Sequence, residues 1–356
     1  LADAADGTPR SVLIRGIGAV DTRSSASHSG GTRVENGGKI IVTGDRGFGA
    51  VPSTTSPSNV VFYNSGVFRT EAANITLAKT RGIVFGSGST RIHASGPLPA
   101  QLMIPGDISG TGTLRMTDMG WVTFAGTNNT YNGRVQLESS YGAMMIGDGT
   151  NFNWQSTGGI VGTGTRGWLY LNNGGSTTFG DVFSGNGRLT KKGAGTLTLA
   201  SAQTFADSET NVIIEAGTLR YGLATALASG SSAGSGLVHL WSGASLDVNG
   251  LAVSLNGLSG GGCVTNSAGT AVAVQVGTGN ATSSFNGVFS SPLTLTKTGN
   301  GILTLGHQNP TPQPVTVSAG TLALNIGVNL TNGVSVASGA SLGINGCYGL
   351  RGEYFD

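Results

Sequence analysis

Residues 189–199 read LTKKGAGTLTL, and residues 295–305 repeat them almost letter for letter as LTKTGNGILTL. Each copy is followed by a polar stretch and then by a similar short segment, VIIEAGTLRY at 212–221 or VTVSAGTLAL at 315–324. In all four segments a glycine precedes a run in which apolar residues take every second position. A period of two is typical of β-strands that turn one row of side chains inward. The sequence therefore predicts short strands joined by glycine bends.

Further copies of this strand-and-glycine pattern occur along the chain. The clearest copies cover 179–221 and 285–324, a degenerate copy covers 106–124, and the module SGASLDVNG at 242–250 recurs as SGASLGING at 338–346. Strands this short bury too little surface to be stable alone, whereas strands stacked on equivalent strands of the next coil share one core. We therefore predict an all-β fold, a parallel β-helix or solenoid with irregular loops.

A globular β-sandwich is the alternative, since it also has short strands with frequent turns. We favour the β-helix because a sandwich does not explain why nearly identical strings recur within one chain. The predicted organisation is a single continuous β-helix over 1–346, followed at 347–356 by a linker or the first strand of another domain. The sequence leaves the coil register of residues 1–100 open.

Composition narrows the classes of function. Glycine takes 62 of 356 positions without a three-residue period, which excludes collagen, and 38% hydrophobic against 10% charged residues argues against disorder. The net charge is +2 and the basic residues are scattered, so we predict no nucleic-acid partner. Because no apolar run reaches the ~18 residues of a membrane helix, we also predict no membrane insertion of this segment.

The repeated motif resembles the autotransporter-associated β-strand repeat, a family of secreted bacterial surface proteins. The family pattern, Leu-Thr-Lys-x-Gly-x-Gly-Thr-Leu-x-Leu and then Val-x-Val-x-x-Gly-Thr-Leu, lies at 189–199 with 212–219 and at 295–305 with 315–322. The resemblance implies a right-handed β-helix, secretion or display on the bacterial cell surface, and a role as stalk, adhesin or fibre-forming filament.

The C-terminal tail has a second resemblance. It is similar to the first strand of the protective-antigen-type glycan-binding domain, which opens with Gly-Leu-x-Gly-x-Tyr-Tyr/Phe. The matching residues are Gly349, Leu350, Gly352, Tyr354 and Phe355. We therefore expect the chain to be part of a longer protein.

Enzymes built on β-helices cluster carboxylates and basic residues on successive coils, where they act as acid and base or hold calcium. Here the acidic residues are scattered singly, at Asp107, Asp118, Asp148, Asp181, Asp207 and Asp247. Asp107 and Asp181 take equivalent positions after glycine and could share a face, but we favour solvated turn residues. We predict no catalytic residue. A polysaccharide lyase or hydrolase, the alternative, requires at least two carboxylates and a basic residue in one groove.

Metal, cofactor and disulfide sites are not expected either. The histidines, His28, His93, His239 and His307, lack metal-ligand spacing, and we read them as surface or hydrogen-bonded residues. Cys263 and Cys347 are separated by about four coils of this repeat class, too far for a disulfide. Each is expected to be a small buried hydrophobe.

Basic and aromatic residues support the hypothesis of a glycan-binding surface. Lys191 and Lys297 share one repeat position, and Lys192 follows the first of them. They form either a basic row that meets anionic glycans or, as we favour, outward residues that keep the solenoid soluble. The tryptophans would stack on sugars if they lay exposed in one line; they are Trp121, Trp154, Trp168 and Trp241. Trp121 aligns with strand positions, so we expect it to be packed.

The sequence as a whole predicts a non-enzymatic extracellular rod. Surface glycans are the expected external partners, and a glycan-binding module is a further alternative. Neither terminus shows an evident cap, and uncapped strand edges favour pairing. We therefore hypothesise end-to-end self-association as well.

Overall fold

A computed structural model describes residues 1–23, 26–95, 100–138, 143–206, 210–227, 237–290, 292–306, 314–325, 327, 328, 330 and 333–345. The chain divides into two compact units, Leu1–Ala206 and Asp207–Asp356. Its regular structure is β-strand apart from one 3-10 turn, Asp45–Phe48, within the described ranges. None of the described residues belongs to a helix with the length and hydropathy needed to cross a membrane.

The strands of the first unit stack in parallel ladders, in which each strand pairs with strands one coil before and after it. Ladder 1 consists of Val12–Arg15, Thr32–Glu35, Ser56–Phe62, Arg81–Phe85, Ile108–Gly110 and Thr130–Tyr131. Ladder 2 starts with Ala19–Arg23, Lys39–Val42, Val67–Thr70, Ser89–Ala94, Thr113–Met116 and Val135–Leu137. Ladder 3 starts with Asn74–Thr76, Gln101–Ile104, Trp121–Phe124 and Ala143–Ile146.

Two long strands join ladders 2 and 3. Ile160–Asn172 and Phe183–Lys192 each place their first residues in ladder 2 and their last residues in ladder 3. Their mutual pairing shifts register between Gly162 and Gly167, where the strands turn the corner. Thr204–Phe205 continues ladder 2, and Thr177–Phe179 pairs with Thr196–Leu199 as ladder 4.

The described residues of the second unit form three ladders of the same parallel kind. Ladder 5 consists of Thr218–Tyr221, Ser245–Asp247, Cys263–Thr265 and Val288–Phe289. Ladder 6 consists of Val253–Leu255, Val272–Val276, Leu293–Lys297, Val315–Val317 and Val334–Val336. Ladder 7 consists of Thr210–Ile214, Leu237–Leu240, Gly257–Gly260, Ser283–Phe285, Ile302–Leu305, Thr321–Asn325 and Ser341–Asn345.

Like side chains stack inside each unit, because in-register parallel strands place equivalent positions one above the other. In ladder 1, Val34, Phe62 and Phe85 form one inward column with no exposed surface. The rings of Phe62 and Phe85 stack with centroids 5.9 Å apart, and Phe85 meets Tyr131 edge-on at 6.0 Å. Full burial of each such side chain contributes about 1.5–3 kcal/mol. The core is therefore a continuous stack shared between coils.

The two glycines of the repeated bend serve different needs. Gly299 has a φ of +64°, which side chains rarely adopt, and Gly193 has the same left-handed geometry at +76°. Gly301 lies against the coil before it, where a Cβ would sit 2.3 Å from the Ala281 oxygen. A Cβ on Gly195 would likewise sit 2.1 Å from the Gly175 oxygen. The motif Gly-x-Gly thus encodes one turn and one close backbone approach.

The predicted all-β parallel solenoid is confirmed within each unit. In both SGASL modules a glycine of positive φ, Gly243 or Gly339, precedes a strand. The continuity of one β-helix over 1–346 stays a prediction. The tail at 347–356, including its glycan-binding-domain pattern, lies outside the described residues.

Candidate ligand-binding surface

Only one carboxylate borders the shallow cavity of about 190 Å³ on ladder 1, among the described residues that line it. This carboxylate belongs to Asp107, which is half-buried and accepts a hydrogen bond of 2.8 Å from the Asn128 amide. The remaining polar groups of the lining come from Thr55, Ser109, Asn128 and Thr130. The cavity therefore lacks the pair of carboxylates that glycoside hydrolysis requires.

Asp181 is not a solvated turn residue, and that prediction is wrong. Its side chain is only 2% exposed and accepts hydrogen bonds from Trp154 Nε1 at 3.1 Å and from the amides of Gly159 and Val182 at 2.9 Å. Burial raises the pKa of Asp181, while these donors oppose the rise. Asp181 precedes a ladder 2 strand and Asp107 a ladder 1 strand, so the two do not share one face.

His93, Ser95 and Asp118 lie together on the outer side of ladder 2, but they do not form a catalytic triad. Ser95 donates its hydroxyl hydrogen bond to Asp118 rather than to His93. His93 Nδ1 faces both Asp118, at 3.9 Å, and the Thr117 hydroxyl, at 3.1 Å. A triad needs the carboxylate on one ring nitrogen and the nucleophile on the other. Burial lowers the pKa of His93, which leaves it a half-buried, hydrogen-bonded residue.

The other predicted polar positions have local structural roles. Asp148 accepts hydrogen bonds from the amides of Thr150 and Asn151 at 2.8 and 2.7 Å. Asp247 is 2% exposed and pairs with Arg220 at 2.8 Å, so it is a buried ion-pair residue. Asp207 lies outside the described residues.

The histidines other than His93 belong to hydrogen-bonded packing. His28 is buried with Nε2 at 2.8 Å from the Thr32 hydroxyl, and half-buried His239 meets Ser259 at 2.9 Å. His307 lies outside the described residues. Across the part of the chain that is described, no three His, Cys, Asp or Glu residues are grouped so as to hold a metal ion.

Lys191 and Lys297 are buried, so both readings of them as outward residues are wrong. Neither side chain has exposed surface. Lys191 Nζ donates to the backbone oxygens of Lys192 at 2.5 Å and Gly193 at 2.7 Å. Lys297 Nζ donates to those of Thr298 at 2.5 Å and Gly299 at 2.8 Å. The lysine of each repeat thus closes the glycine bend from inside.

The alternation of inward and outward side chains along the strand predicts this burial. Lys297 lies two residues after buried Leu295, so a period of two places both side chains on the inward face. In ladder 6 Lys297 pairs with Val276 before it and Val317 after it, within an aliphatic column. A long side chain can occupy such a column because its methylene stem packs while its ammonium reaches backbone oxygens at the bend. Lysine is rarely buried, so its residue type points outward where the alternation points inward.

Ladder 3 carries an aromatic and basic outer surface, which we name the ladder 3 face. Its members are Trp121, Ala143, Trp168, Tyr170, Arg188 and Lys192. Trp121, Ala143, Trp168 and Arg188 form one outward column on successive strands. Both tryptophans are half-buried. Ala143 is only 1% exposed although it points outward, which shows that neighbouring side chains lie over it.

Ring and cation contacts hold the ladder 3 face together. Trp121 stacks on Tyr170 with centroids 4.6 Å apart and an interplanar angle of 25°. The Arg188 guanidinium lies over Trp168 at 5.6 Å, and Lys192 Nζ lies over Tyr170 at 5.5 Å. Each cation–π contact contributes about 0.5–1 kcal/mol at a partly exposed site. Tyr170 is only 7% exposed beneath these contacts, so the aromatic surface that remains is that of half-buried Trp121 and Trp168, with two positive charges beside it.

The strands of ladder 3 themselves contribute no carboxylate. The ladder 3 strands from Asn74–Thr76 to residues 188–192 contain no Asp or Glu. Trp121 and Trp168 stand out in the sequence by residue type, and Trp121 is expected to be packed; the structure places Trp121 half-buried and stacked on Tyr170. Residue type alone does not mark Tyr170 and Arg188, because their shared face follows from coil register, which the sequence does not give.

The remaining tryptophans are not part of this surface. Trp154 is 5% exposed and belongs to the core beside Phe124 and Tyr131. Trp241 is 49% exposed and follows a ladder 7 strand in the second unit. The four tryptophans therefore do not form one line, and only two share the ladder 3 face.

Cys263 is a free thiol that is half-buried, so its expected burial as a small hydrophobe is wrong. It lies in ladder 5 next to inward Val264, and its Sγ is 3.8 Å from the Val264 oxygen. Cys347 lies outside the described residues. The expectation that the two cysteines are not bonded to each other stays a prediction.

The repeated bends, with their buried lysines and paired glycines, coincide with a known repeat. Residues 189–220 and 295–324 match the family described as passenger-associated-transport-repeat. The chain carries the autotransporter passenger-type repeat. The resemblance drawn from the Leu-Thr-Lys-x-Gly-x-Gly motif is thereby confirmed at both copies.

A curated relative agrees with this family. The chain is 30% identical over 280 residues to the adhesin BmaC autotransporter of Brucella suis biovar 1 (strain 1330). The match covers 68% of this chain but only 8% of the relative's length, so the chain corresponds to a small part of that protein. No solved structure matches the chain.

Proposed function

We propose that this passenger-type repeat chain is a non-enzymatic, extracellular adhesive segment of a bacterial surface or secreted protein. The observation that carries the proposal is the ladder 3 face, where half-buried Trp121 and Trp168 lie outward beside Arg188 and Lys192. Aromatic and arginine side chains are the residues that dominate binding surfaces. The similarity to an autotransporter adhesin supports the same role.

The repeats themselves support a scaffolding part in this function. Their leucines and valines point inward together with Lys191 and Lys297, and their glycines form the bends. Contacts with a partner are therefore made by the outward-facing side chains, which differ from coil to coil. In this proposal the solenoid is a scaffold that holds the contact surface in place. Its role as a stalk or fibre element would be limited to setting the length over which that surface extends.

An enzyme of the polysaccharide lyase or hydrolase type is the rival function. The cavity beside Asp107 supplies a single carboxylate, and the grouping of His93, Ser95 and Asp118 lacks triad geometry. Neither arrangement supplies the two positioned carboxylates of glycoside hydrolysis. These observations favour adhesion over catalysis.

Adherence of beads tests the proposal. Latex beads coated with the full 356-residue chain should adhere to cultured epithelial cells, and a Trp121→Ser/Trp168→Ser double variant should lose most of this adherence. Trp241→Ser is the matched control, because it removes an exposed indole from outside the ladder 3 face. Its adherence should equal that of the wild type.

Two results would overturn the proposal. Equal adherence of the double variant and the wild type, at equal coating density, would show that the ladder 3 face is not the contact surface. Release of new reducing ends from polysaccharide by the purified chain would establish catalysis instead.

A further inference from the structure

We infer that the cavity on the outer side of ladder 1 binds the end residue of a neutral glycan, with Asp107 as the main hydrogen-bond acceptor. This cavity of about 190 Å³ lies on a different ladder from the ladder 3 face. The site therefore goes beyond the proposed adhesive contact and does not depend on it. Recognition rests on polar side chains that the fold leaves without partners.

Gly82 makes room for the cavity. Its strand lies between the strand of Pro57 and that of Asp107, and all three residues line the cavity. A Cβ on Gly82 would sit 2.5 Å from the Pro57 oxygen, so a larger residue does not fit there unless the backbone moves. The pairing is irregular at this point, because residues 56–60 face only residues 81–83. Exposed Pro57 thus stands beside a position without a side chain, which leaves a depression.

Polar side chains border this depression on the next two strands. Ser109 pairs with Thr130 across ladder 1. Asp107 lies two positions before Ser109, so the period of two places both on the outer face. Asn128 and Thr130 are exposed, while Asp107 and Ser109 are half-buried. A molecule in the cavity can therefore reach all four side chains.

The hydrogen-bonding groups of these side chains are largely unused inside the protein. Asp107 Oδ1 accepts from the Asn128 amide at 2.8 Å, which holds the carboxylate in place, while Oδ2 has no partner among the described residues. The Asn128 carboxamide and the hydroxyls of Ser109 and Thr130 likewise make no hydrogen bond within the described part of the chain. A group held in position before binding loses little freedom when a ligand arrives. The cavity thus offers one preorganised acceptor and three groups that both donate and accept.

This mixture of groups selects a neutral ligand rich in hydroxyls. A hydroxyl donates and accepts at once, so it matches a carboxylate as well as an amide or another hydroxyl. No Lys, Arg or His belongs to the described lining, so an acidic sugar would meet the Asp107 charge without a compensating cation. Drug-sized ligands occupy about 300–1,000 Å³, so the smaller cavity suits one sugar ring rather than a chain.

A calcium ion is the rival occupant. Calcium takes about six to eight oxygen ligands at about 2.3–2.6 Å, carboxylates among them. Asp107 is the single carboxylate of the described lining, and a cavity of about 190 Å³ is wider than one ion requires. The geometry therefore favours a sugar, and the use of a chelator separates the two occupants.

Ligand-observed saturation-transfer NMR on the full chain tests the inference. Methyl glycosides of glucose, galactose, mannose and N-acetylglucosamine represent the ends of neutral glycans. At least one should bind with a Kd of roughly 1–10 mM, the range for a small polar ligand. The methyl uronides of glucose and galactose should bind at least about fivefold more weakly, because the carboxylate repels them. EDTA should leave binding unchanged.

Asp107→Asn tests the role of the carboxylate. The amide oxygen can still accept from the Asn128 amide, but the charged acceptor is lost, so binding of the neutral glycoside should weaken about fivefold. The same variant should bind the uronides within about twofold of the neutral glycoside, because the repelling charge is gone. Ser109→Phe places a ring in the cavity from an outward position and should abolish binding of both.

Asp148→Asn is the matched control. Asp148 also accepts backbone amides in a turn, from Thr150 and Asn151 at 2.8 and 2.7 Å, and it lies outside the lining of the cavity. The change removes the same charge, and sugar binding should stay within about twofold of the wild type. Equal circular dichroism of all variants confirms that folding is unchanged.

Four results would overturn the inference. The first is no binding of any methyl glycoside up to about 50 mM, well above the expected Kd. The second is equal weakening by Asp107→Asn and Asp148→Asn. The third is binding that EDTA abolishes and calcium restores, which would assign Asp107 to a cation site. The fourth is binding of free sugars but not of methyl glycosides, which would identify a diffusible sugar instead of a glycan end. Adherence through the ladder 3 face is measured separately and is independent of all four.

Discussion

Lys297 donates a hydrogen bond from Nζ to the backbone oxygen of Ala319, 3.1 Å away in the next coil. The same ammonium also bonds the oxygens of Thr298 and Gly299 in its own bend. One buried charge thus satisfies carbonyl groups from two stacked bends. The repeat places Ala319 at the bend of its second segment, so the lysine and the paired segments form one structural unit.

Replacing this lysine should therefore destabilise the second unit. Lys297→Met keeps the apolar stem but leaves three buried oxygens without their donor, and we expect a loss of about 2–4 kcal/mol. Urea unfolding followed by hydrogen exchange of peptides within 293–325 measures the loss. Lys192→Met, the same change at a half-buried outward position, should cost under about 1 kcal/mol. Equal losses in the two variants would contradict the role of the buried ammonium.

The pH dependence of stability should reveal the buried Lys191. Burial lowers its pKa from 10.5 to about 8. Between these values the unfolded chain holds a proton that the folded chain has lost, so the stability contribution of Lys191 rises with pH and is flat below pH 8. The rise should approach about 1.4 kcal/mol per pH unit.

Comparison with Lys191→Met isolates this effect. The difference in free energy of unfolding between wild type and variant, followed by tryptophan fluorescence, should grow in favour of the wild type above pH 8. A difference that shrinks as pH rises would mean that the bend oxygens hold the proton on Lys191 more strongly than burial removes it.

Arg81 should be essential for the local structure of residues 45–50. Its buried guanidinium pairs with Asp45 at 2.8 Å, bonds the Gly49 oxygen at 3.2 Å and contacts the Asn59 side chain. Arg81→Leu leaves the Asp45 carboxylate and several backbone acceptors without their donor, so we expect the free energy of unfolding to fall by about 3–5 kcal/mol. Limited trypsin digestion should then cut rapidly after Arg46. Arg33→Leu, which breaks an ion pair with an exposed arginine, should leave that site protected.

Gly299 should tolerate a methyl group far less well than Gly269. Both have positive φ, +64° and +77°, but a Cβ on Gly269 meets open space whereas one on Gly299 would lie 2.0 Å from the Gly277 oxygen. Gly269→Ala should cost about 1–2 kcal/mol for its backbone conformation alone. Gly299→Ala should cost more, because the coils must also separate. Thermal unfolding midpoints compare them, and equal shifts would refute the close stacking of the bends.

The sequence was sufficient for the fold because repetition and alternation are properties of the chain itself. Leu295, Thr296 and Lys297 alternate inward, outward and inward, as a strand requires. The sequence was insufficient where burial depends on a neighbouring coil. Asp181 is buried because Trp154, in the coil before it, donates to its carboxylate, and no spacing rule relates those two residues.

The candidate surface was only half predictable for the same reason. Trp168 stood out by residue type, but its partner Arg188 became visible only when the register placed them on adjacent strands. Loops of unequal length separate the repeats, so counting residues does not reveal which outward positions share a column. The structure gives the register of each coil, and this register shows which residues that are scattered in the sequence lie on one face.

The outward column of Trp121, Ala143, Trp168 and Arg188 has a consequence for how strongly a long ligand is held. The strands of ladder 3 contribute one position each to the column, but Ala143 is covered and Trp121 stacks on Tyr170 across two coils, so the positions are not independent. A ligand held at one outward position is presented to the next at high effective concentration. Avidity along this column would therefore depend on the number of uncovered positions rather than on the number of coils.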